Sequence, residues 1–272
     1  MITIQTFLGI DEGSHQLFKG DTGSSDLHWI QPISKFPQAR DIHRLDQDRC
    51  LIGYDRGFFI CELGTGKILE DCSKWEKVTS VVPQPNGYFL VTGLNLAGCD
   101  GVTVLRLDHT YRVADSWSRP GDYVRLMRPS THQTYYFCVN DHILETDLNL
   151  DTLKIFASHG FLHAWKPHQL PNGDLLVSGG YGAFMARFSS QGQEIQTFGR
   201  VDQVPKEVQP NFYANFDLDS QGNIYVANWQ GHGADNGAKG RQLLCFSPAG
   251  EFIDSWSYGK DVSSFQGVLL VT

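Results

Sequence analysis

Three stretches decide the fold: PQPNGYFLVTG at 83–93, QLPNGDLLVSGG at 169–180 and LDSQGNIYVANW at 218–229. Each reads as the end of one strand, a tight turn closed by glycine, and a second strand rich in apolar and β-branched residues. Looser copies stand at 44–55 (RLDQDRCLIGYD) and 134–141 (TYYFCVND), while TFLGIDEG at 6–13 matches the second strand alone. With Leu8, Leu51, Leu90, Phe137, Leu176 and Tyr225 taken as equivalent, the spacings are 43, 39, 47, 39 and 49 residues. The mean is close to one sixth of the 272-residue chain, the length of a four-stranded propeller blade.

The segments that follow complete the cycle. GFFICEL at 57–63, GVTVLRL at 101–107, HILETDL at 142–148, GAFMARF at 182–188 and RQLLCFS at 241–247 align as third strands, each followed by a turn and a fourth. One strand, SSFQGVLLVT at 263–272, is left without partners at the end, and three strands at the beginning lack an inner one. Joined, they make one blade and remove the open seam of the ring. The predicted fold is all-β: a single six-bladed β-propeller domain over 1–272, four antiparallel strands per blade. Blade 1 takes 263–272 with 1–34, and blades 2 to 6 take about 38–74, 77–118, 122–157, 161–200 and 211–258.

Composition limits the partners. A hydrophobic content of 41% excludes disorder, and a net charge of −8 repels a nucleic-acid backbone. No apolar run approaches the roughly 18 residues that span a bilayer, and MITIQTFLGIDEG lacks a basic n-region. The expectation is a cytoplasmic chain with no membrane or nucleic-acid partner. The six cysteines (50, 61, 72, 99, 138, 245) form no CxxC pair and sit in apolar runs, as small buried hydrophobes do.

In a propeller the lead-ins between blades and the loops joining second to third strands share one face. The longest loop of the second kind, at 229–240, is a Gly, Asn and Asp mixture holding His232, and excess loop length is where binding concentrates. The blade 5 lead-in carries His163, Trp165, Lys166 and His168 within six residues. His163 and Trp165, on one side of an expected strand near the mouth, suit a general base and a stacking platform. His168, equivalent by alignment to His43 and Asp217, reads as a structural position between blades. Arg125 and Arg40 are the fixed cations placed to orient a carboxylate. Tyr123, Tyr181, Tyr213 and Trp229 add rings, with Tyr213 a candidate acid or base, and Asn215 and Asn228 can donate hydrogen bonds. There is no GxSxG elbow, P-loop, HExxH, dinucleotide fingerprint or EF-hand loop.

Through PNGYFLVTG, PNGDLLVSGG, SQGNIYVANW and the shared closing blade, the chain resembles the NHL-repeat and gluconolactonase-like (senescence marker protein-like) group of six-bladed propellers. That resemblance implies a divalent cation, Ca2+ or similar, on the axis, for which Glu12, Asn95, Asn140 and Asn228 supply plausible ligand types. The functional expectation is an enzyme acting on a small polar, carbohydrate-derived or carboxylate-bearing substrate in an axial pocket. Elimination or isomerisation by acid/base catalysis, or lactone or ester hydrolysis, are the reactions expected. His163, Tyr213 and Arg125 would be catalytic, and Arg40, Trp165, Tyr181, Asn215, Trp229 and His232 would bind substrate. The alternative is a non-catalytic module that recognises a glycan or a protein partner.

Overall fold

The computed structural model describes residues 3–259 and 261–271. Met1, Ile2 and Thr272 of the expected blade 1, and Lys260 between the expected blades 6 and 1, lie outside the described residues. Six antiparallel four-stranded sheets form the ring. Their inner strands are Phe265–Leu270, Asp41–Arg44, Val78–Pro83, Met127–Pro129, Pro167–Gln169 and Phe212–Leu218 for blades 1 to 6.

The repeated turn explains itself through one torsion angle. Gly87, Gly173 and Gly222 hold φ of 73°, 88° and 81°, a region closed to most L-residues. A Cβ on Gly173 would meet nothing nearer than 3.7 Å, so the backbone angle, not lack of room, requires glycine there. The second strands are buried along all or nearly all their length, Leu175–Ser178 and Ile224–Trp229 at every position, because neighbouring blades cover both faces. The outer strand Leu27–Pro32 instead alternates half-buried and exposed positions.

The ring closes as expected. Phe265–Leu270 pairs antiparallel with Thr6–Asp11, Phe7 opposite Leu270 and Gly9 opposite Val268. Asp11, fully buried, accepts from the backbone N–H of Ser263 (2.8 Å) and Ser264 (2.7 Å). Phe7, Phe18, Tyr258 and Phe265 pack around the seam with ring centroids 5.1–6.4 Å apart. The six cysteines are free; five are buried and Cys99 is half-buried.

Strand register corrects one equivalence. Leu8, Leu51, Leu90, Leu176 and Tyr225 pair with Leu269, His43, Val82, His168 and Asp217 of their inner strands. In each of these blades the fourth strand carries a one-residue bulge, met just after the third-strand residue opposite that position. In blade 4 the bulge follows Glu145, which faces Tyr136, and Tyr136 pairs with Arg128. The equivalent residue is therefore Tyr136, one before Phe137. The run Tyr135–Cys138 is buried at every position, so hydrophobicity cannot set its phase. Corrected, the register puts Arg128 beside His43, Val82, His168, Asp217 and Leu269 at one level of the axis.

Candidate functional site

The register stacks the axis in layers. One residue above the buried layer of Asp41, Ser80, Leu126, Lys166 and Asn215 stand Arg40, Arg125 and Trp165, whose N–H groups bond to Gly53, Cys138 and Ser178 carbonyls. These three, with Gln266 from the irregular inner strand of blade 1, line a cavity of about 490 Å³ at the loop-rich face. Glu12, Gln38, His163, Tyr181, Phe212, Trp229 and His232 complete its wall.

One side of the cavity is cationic. Arg40, only 7% exposed, donates from Nε to the Gln38 carbonyl (2.9 Å) and from Nη2 to Gln38 Oε1. Arg125 lies between the rings of Tyr123 and Trp165, 4.3 and 5.5 Å from their centroids. Neither guanidinium makes an ion pair among the described residues. Burial, then the Arg125 charge, brings Arg40 down to about 10, which leaves it cationic at neutral pH. Arg125 is lowered by burial as well. In the same wall, Arg125 Nε, Trp165 Nε1 and Gln266 Oε1 are buried without a protein partner, an unusual accumulation of unsatisfied polar atoms.

The other side is aromatic. Rings run from His163 to Tyr181 (5.6 Å), Phe212 (4.7 Å), Trp229 (5.3 Å) and His232 (4.7 Å), mostly edge to face. An imidazole stands at each end of this arc, and each has its Nδ1 occupied. His232 Nδ1 lies 2.8 Å from Glu12 Oε1, whose other oxygen accepts from Trp229 Nε1 at 3.2 Å. His163 Nδ1 lies 2.7 Å from the Tyr123 hydroxyl. Burial, then the Arg125 charge, lowers His163, while burial pushes Tyr123 up to about 12. At neutral pH the pair is thus a neutral imidazole beside a protonated phenol.

His163 owes its place to a strained lead-in. Its φ is +57°, and no strand begins until Pro167, so the expected strand alternation of His163 and Trp165 does not apply. Asn140 holds the segment, accepting the His163 N–H on Oδ1 (3.3 Å) and the Ala164 N–H on its carbonyl (3.1 Å). A Cβ on Gly180 would come within 2.2 Å of the His163 carbonyl oxygen, so glycine is what lets the two loops touch.

Of the expected site residues, Arg40, Arg125, His163, Trp165, Tyr181, Trp229, His232 and Glu12 line the cavity together. Tyr213 does not: it is fully buried in an inter-blade core and its hydroxyl donates to the Gly199 carbonyl at 2.6 Å. The tyrosine tied to His163 is Tyr123. Asn215 lies beneath the cavity, in the buried layer, accepting from Lys166 Nζ at 2.9 Å. Asn228 is spent inside blade 6: Oδ1 accepts the Asn211 N–H, and Nδ2 donates to the Val208, Gln209 and Arg241 carbonyls. Asn95 is exposed, away from the cavity, and accepts the Gly101 N–H.

The proposed cation ligands therefore do not fit an axial ion. Glu12 has both oxygens engaged, Asn95, Asn140 and Asn228 each brace a loop, and among the described residues no three His, Cys, Asp or Glu side chains cluster to hold a metal. Gln38, Phe212 and Gln266 carried no signal in the sequence.

No protein-family model matches the chain, and no curated protein matches it. Solved structures do. A protein of unknown function from Bacteroides caccae is 18% identical, with a TM-score of 0.78 over 98% of this chain and 99% of that one. A functionally unknown protein from Desulfotomaculum acetoxidans is 11% identical, TM-score 0.62, over 98% of both chains. A catalytically inactive histidine-to-alanine variant of virginiamycin B lyase from Staphylococcus aureus, solved with quinupristin, is 10% identical. Its TM-score is 0.61, over 94% of this chain and 85% of that one. At such identities the likeness establishes the propeller fold.

Proposed function

We propose that the chain is an enzyme that removes a proton next to a carboxylate of a small polar molecule held in the front cavity, leading to elimination or isomerisation. The observation that carries this reading is the His163–Tyr123 pair at 2.7 Å, beside two guanidinium groups with no carboxylate of their own. With the Nδ1 proton donated to the Tyr123 oxygen, the Nε2 lone pair is free to act as base. The C–H electron pair then passes toward the substrate carboxylate, where Arg40 and Arg125 stabilise the added negative charge. Collapse of that pair expels a leaving group or shifts a double bond, and the imidazolium returns its proton to the departing group or to another carbon. Tyr123 does not line the cavity; it is a positioning residue that holds the imidazole ring through Nδ1.

One of the similar propellers is a lyase, which agrees with this reading, but the reaction class is inferred from the cavity. The test is solvent-deuterium exchange and formation of an unsaturated acid, followed by NMR, across uronates, hydroxy acids and sugar lactones. His163→Ala should cost about 10²-fold or more in turnover, the usual worth of a general base. In the wild type the acid limb of the pH profile should fall below the ordinary histidine range, because His163 is lowered. Turnover that survives His163→Ala would defeat the proposal. The exposed Tyr181 in the aromatic arc favours the second reading, a glycan-binding module. Saturable binding of a sugar without any turnover, lost in Tyr181→Ala, would select it.

A further inference from the structure

Below the buried axial layer a second cavity, of about 390 Å³, opens on the opposite face of the ring. Equivalent residues from all six blades line it: His43, Val82, Arg128, His168, Asp217 and Leu269. Lys166 reaches it from the layer above. We propose that this rear cavity is a binding site for a small oxyanion, with the Lys166 ammonium as its anchor and Arg128 beside it.

Lys166 carries the argument. Its side chain comes from a residue only 7% exposed, and Nζ donates to Asn215 Oδ1 at 2.9 Å and to the Phe216 carbonyl. An ammonium has three N–H donors, and among the described residues no carboxylate lies within 4 Å of this one. Two neutral oxygens do not compensate a buried charge. The nearby carboxylates are engaged elsewhere. Asp41 is paired with Arg128, and Asp217 accepts the Leu218 and Leu270 N–H groups, each at 2.9 Å. Arg44, Arg128 and Lys166 line the cavity with Asp217 as its one carboxylate, and even with Arg128 offset by Asp41 in the layer above, one positive charge is in excess on a chain of net charge −8.

Further donors are uncommitted. Asn215 Nδ2, fully buried beside Lys166, has no partner, and His43 Nε2 has only the Asp41 carboxylate, 3.2 Å away and off the line of a good hydrogen bond. Burial lowers both His43 and His168, so each is a neutral ring with one N–H to offer. An oxyanion would complete the Lys166 donor set and neutralise the excess charge. Phosphate and carboxylate share that chemistry, and separate titrations tell them apart.

The experiment is calorimetric titration of inorganic phosphate, and separately of acetate, into the wild type, Lys166→Met and an Arg40→Ala/Arg125→Ala variant. The last removes the cations of the front cavity. One of the two anions should bind saturably to the wild type, keep its affinity in the front-cavity variant, and weaken by about tenfold or more in Lys166→Met, as loss of a charged hydrogen bond requires. No saturable binding of either anion, or binding that vanishes with the front arginines and survives Lys166→Met, would overturn the proposal while leaving the front-cavity chemistry untouched. Should Lys166→Met fail to fold, amine labelling of the wild type read by mass spectrometry decides. The bound anion should slow labelling of Lys166 relative to Lys74, and equal rates with and without it refute the site.

Discussion

His163 and His168 lie five residues apart and both are lowered by burial, yet the consequences differ. His163 sits at a cavity wall, where a lowered pKa keeps a base ready. His168 is brought to about 4, by burial first and then by Lys166 and Arg128, and its cost falls on stability. Its folded value lies below its unfolded one near 6.5, so the unfolded chain binds a proton that the native state refuses. Stability is therefore complete above the unfolded value and declines as pH falls from about 6.5 toward 4, by up to about 3 kcal/mol. His168→Gln, which cannot titrate, should flatten the slope of unfolding free energy against pH in that window. Urea unfolding at a series of pH values measures it, and an unchanged slope would assign the acid sensitivity to His43 or elsewhere.

At the scale of elements, the loop after Trp229 is built as a strap. Asn236, 5% exposed, donates from Nδ2 to the Gly231 (2.7 Å) and His232 (2.8 Å) carbonyls, and its N–H reaches Ser263 Oγ at 3.2 Å. Ser263 and Ser264 in turn donate to the Gly233 and Gly231 carbonyls. The loop is thereby tied to the closing segment, and His232 to Glu12. Asn236→Ala should cost about 1–3 kcal/mol and speed amide exchange over 230–237 more than in the blade cores. Uniform exchange across the molecule would show that the strap is not a separate unit. The sequence made this loop legible by its length and glycine content, and made the strands legible because glycine at positive φ marks the repeated turn. It did not reveal the phase of Tyr135–Cys138, where every position is apolar. That one-residue slip hid Arg128 from the axis. The Tyr123–His163 pair was hidden differently: the partners are 40 residues apart on separate lead-ins, and only the ring brings lead-ins together.

Across the whole molecule, polar bonds on the axis join the blades and give their apolar packing a fixed geometry. Asp41 of blade 2 accepts from Ser80 Oγ (2.6 Å) and the Val81 N–H (3.1 Å) of blade 3, and from Arg128 Nη2 (2.6 Å) and Nη1 (3.2 Å) of blade 4. Lys166 ties blade 5 to blade 6, and Asp217 ties blade 6 to blade 1. Burial alone would raise the Asp41 carboxyl, but Arg128, with a smaller contribution from His43, holds it well below the usual carboxylate range. Its contribution is thus full above the unfolded value of 3.8 and is lost only as pH falls below it. Because Asp41 is fully buried and Arg128 is 8% exposed, removing either one strands a charge. Asp41→Ala and Arg128→Met should each cost about 3–5 kcal/mol, whereas the double variant, with no charge left unpaired, should recover much of the loss. Urea midpoints with unchanged slopes measure this directly. A double variant as unstable as the sum of the single ones would mean that Asp41 and Arg128 act separately, through Ser80 and the backbone, and that the axis is not held by their pairing.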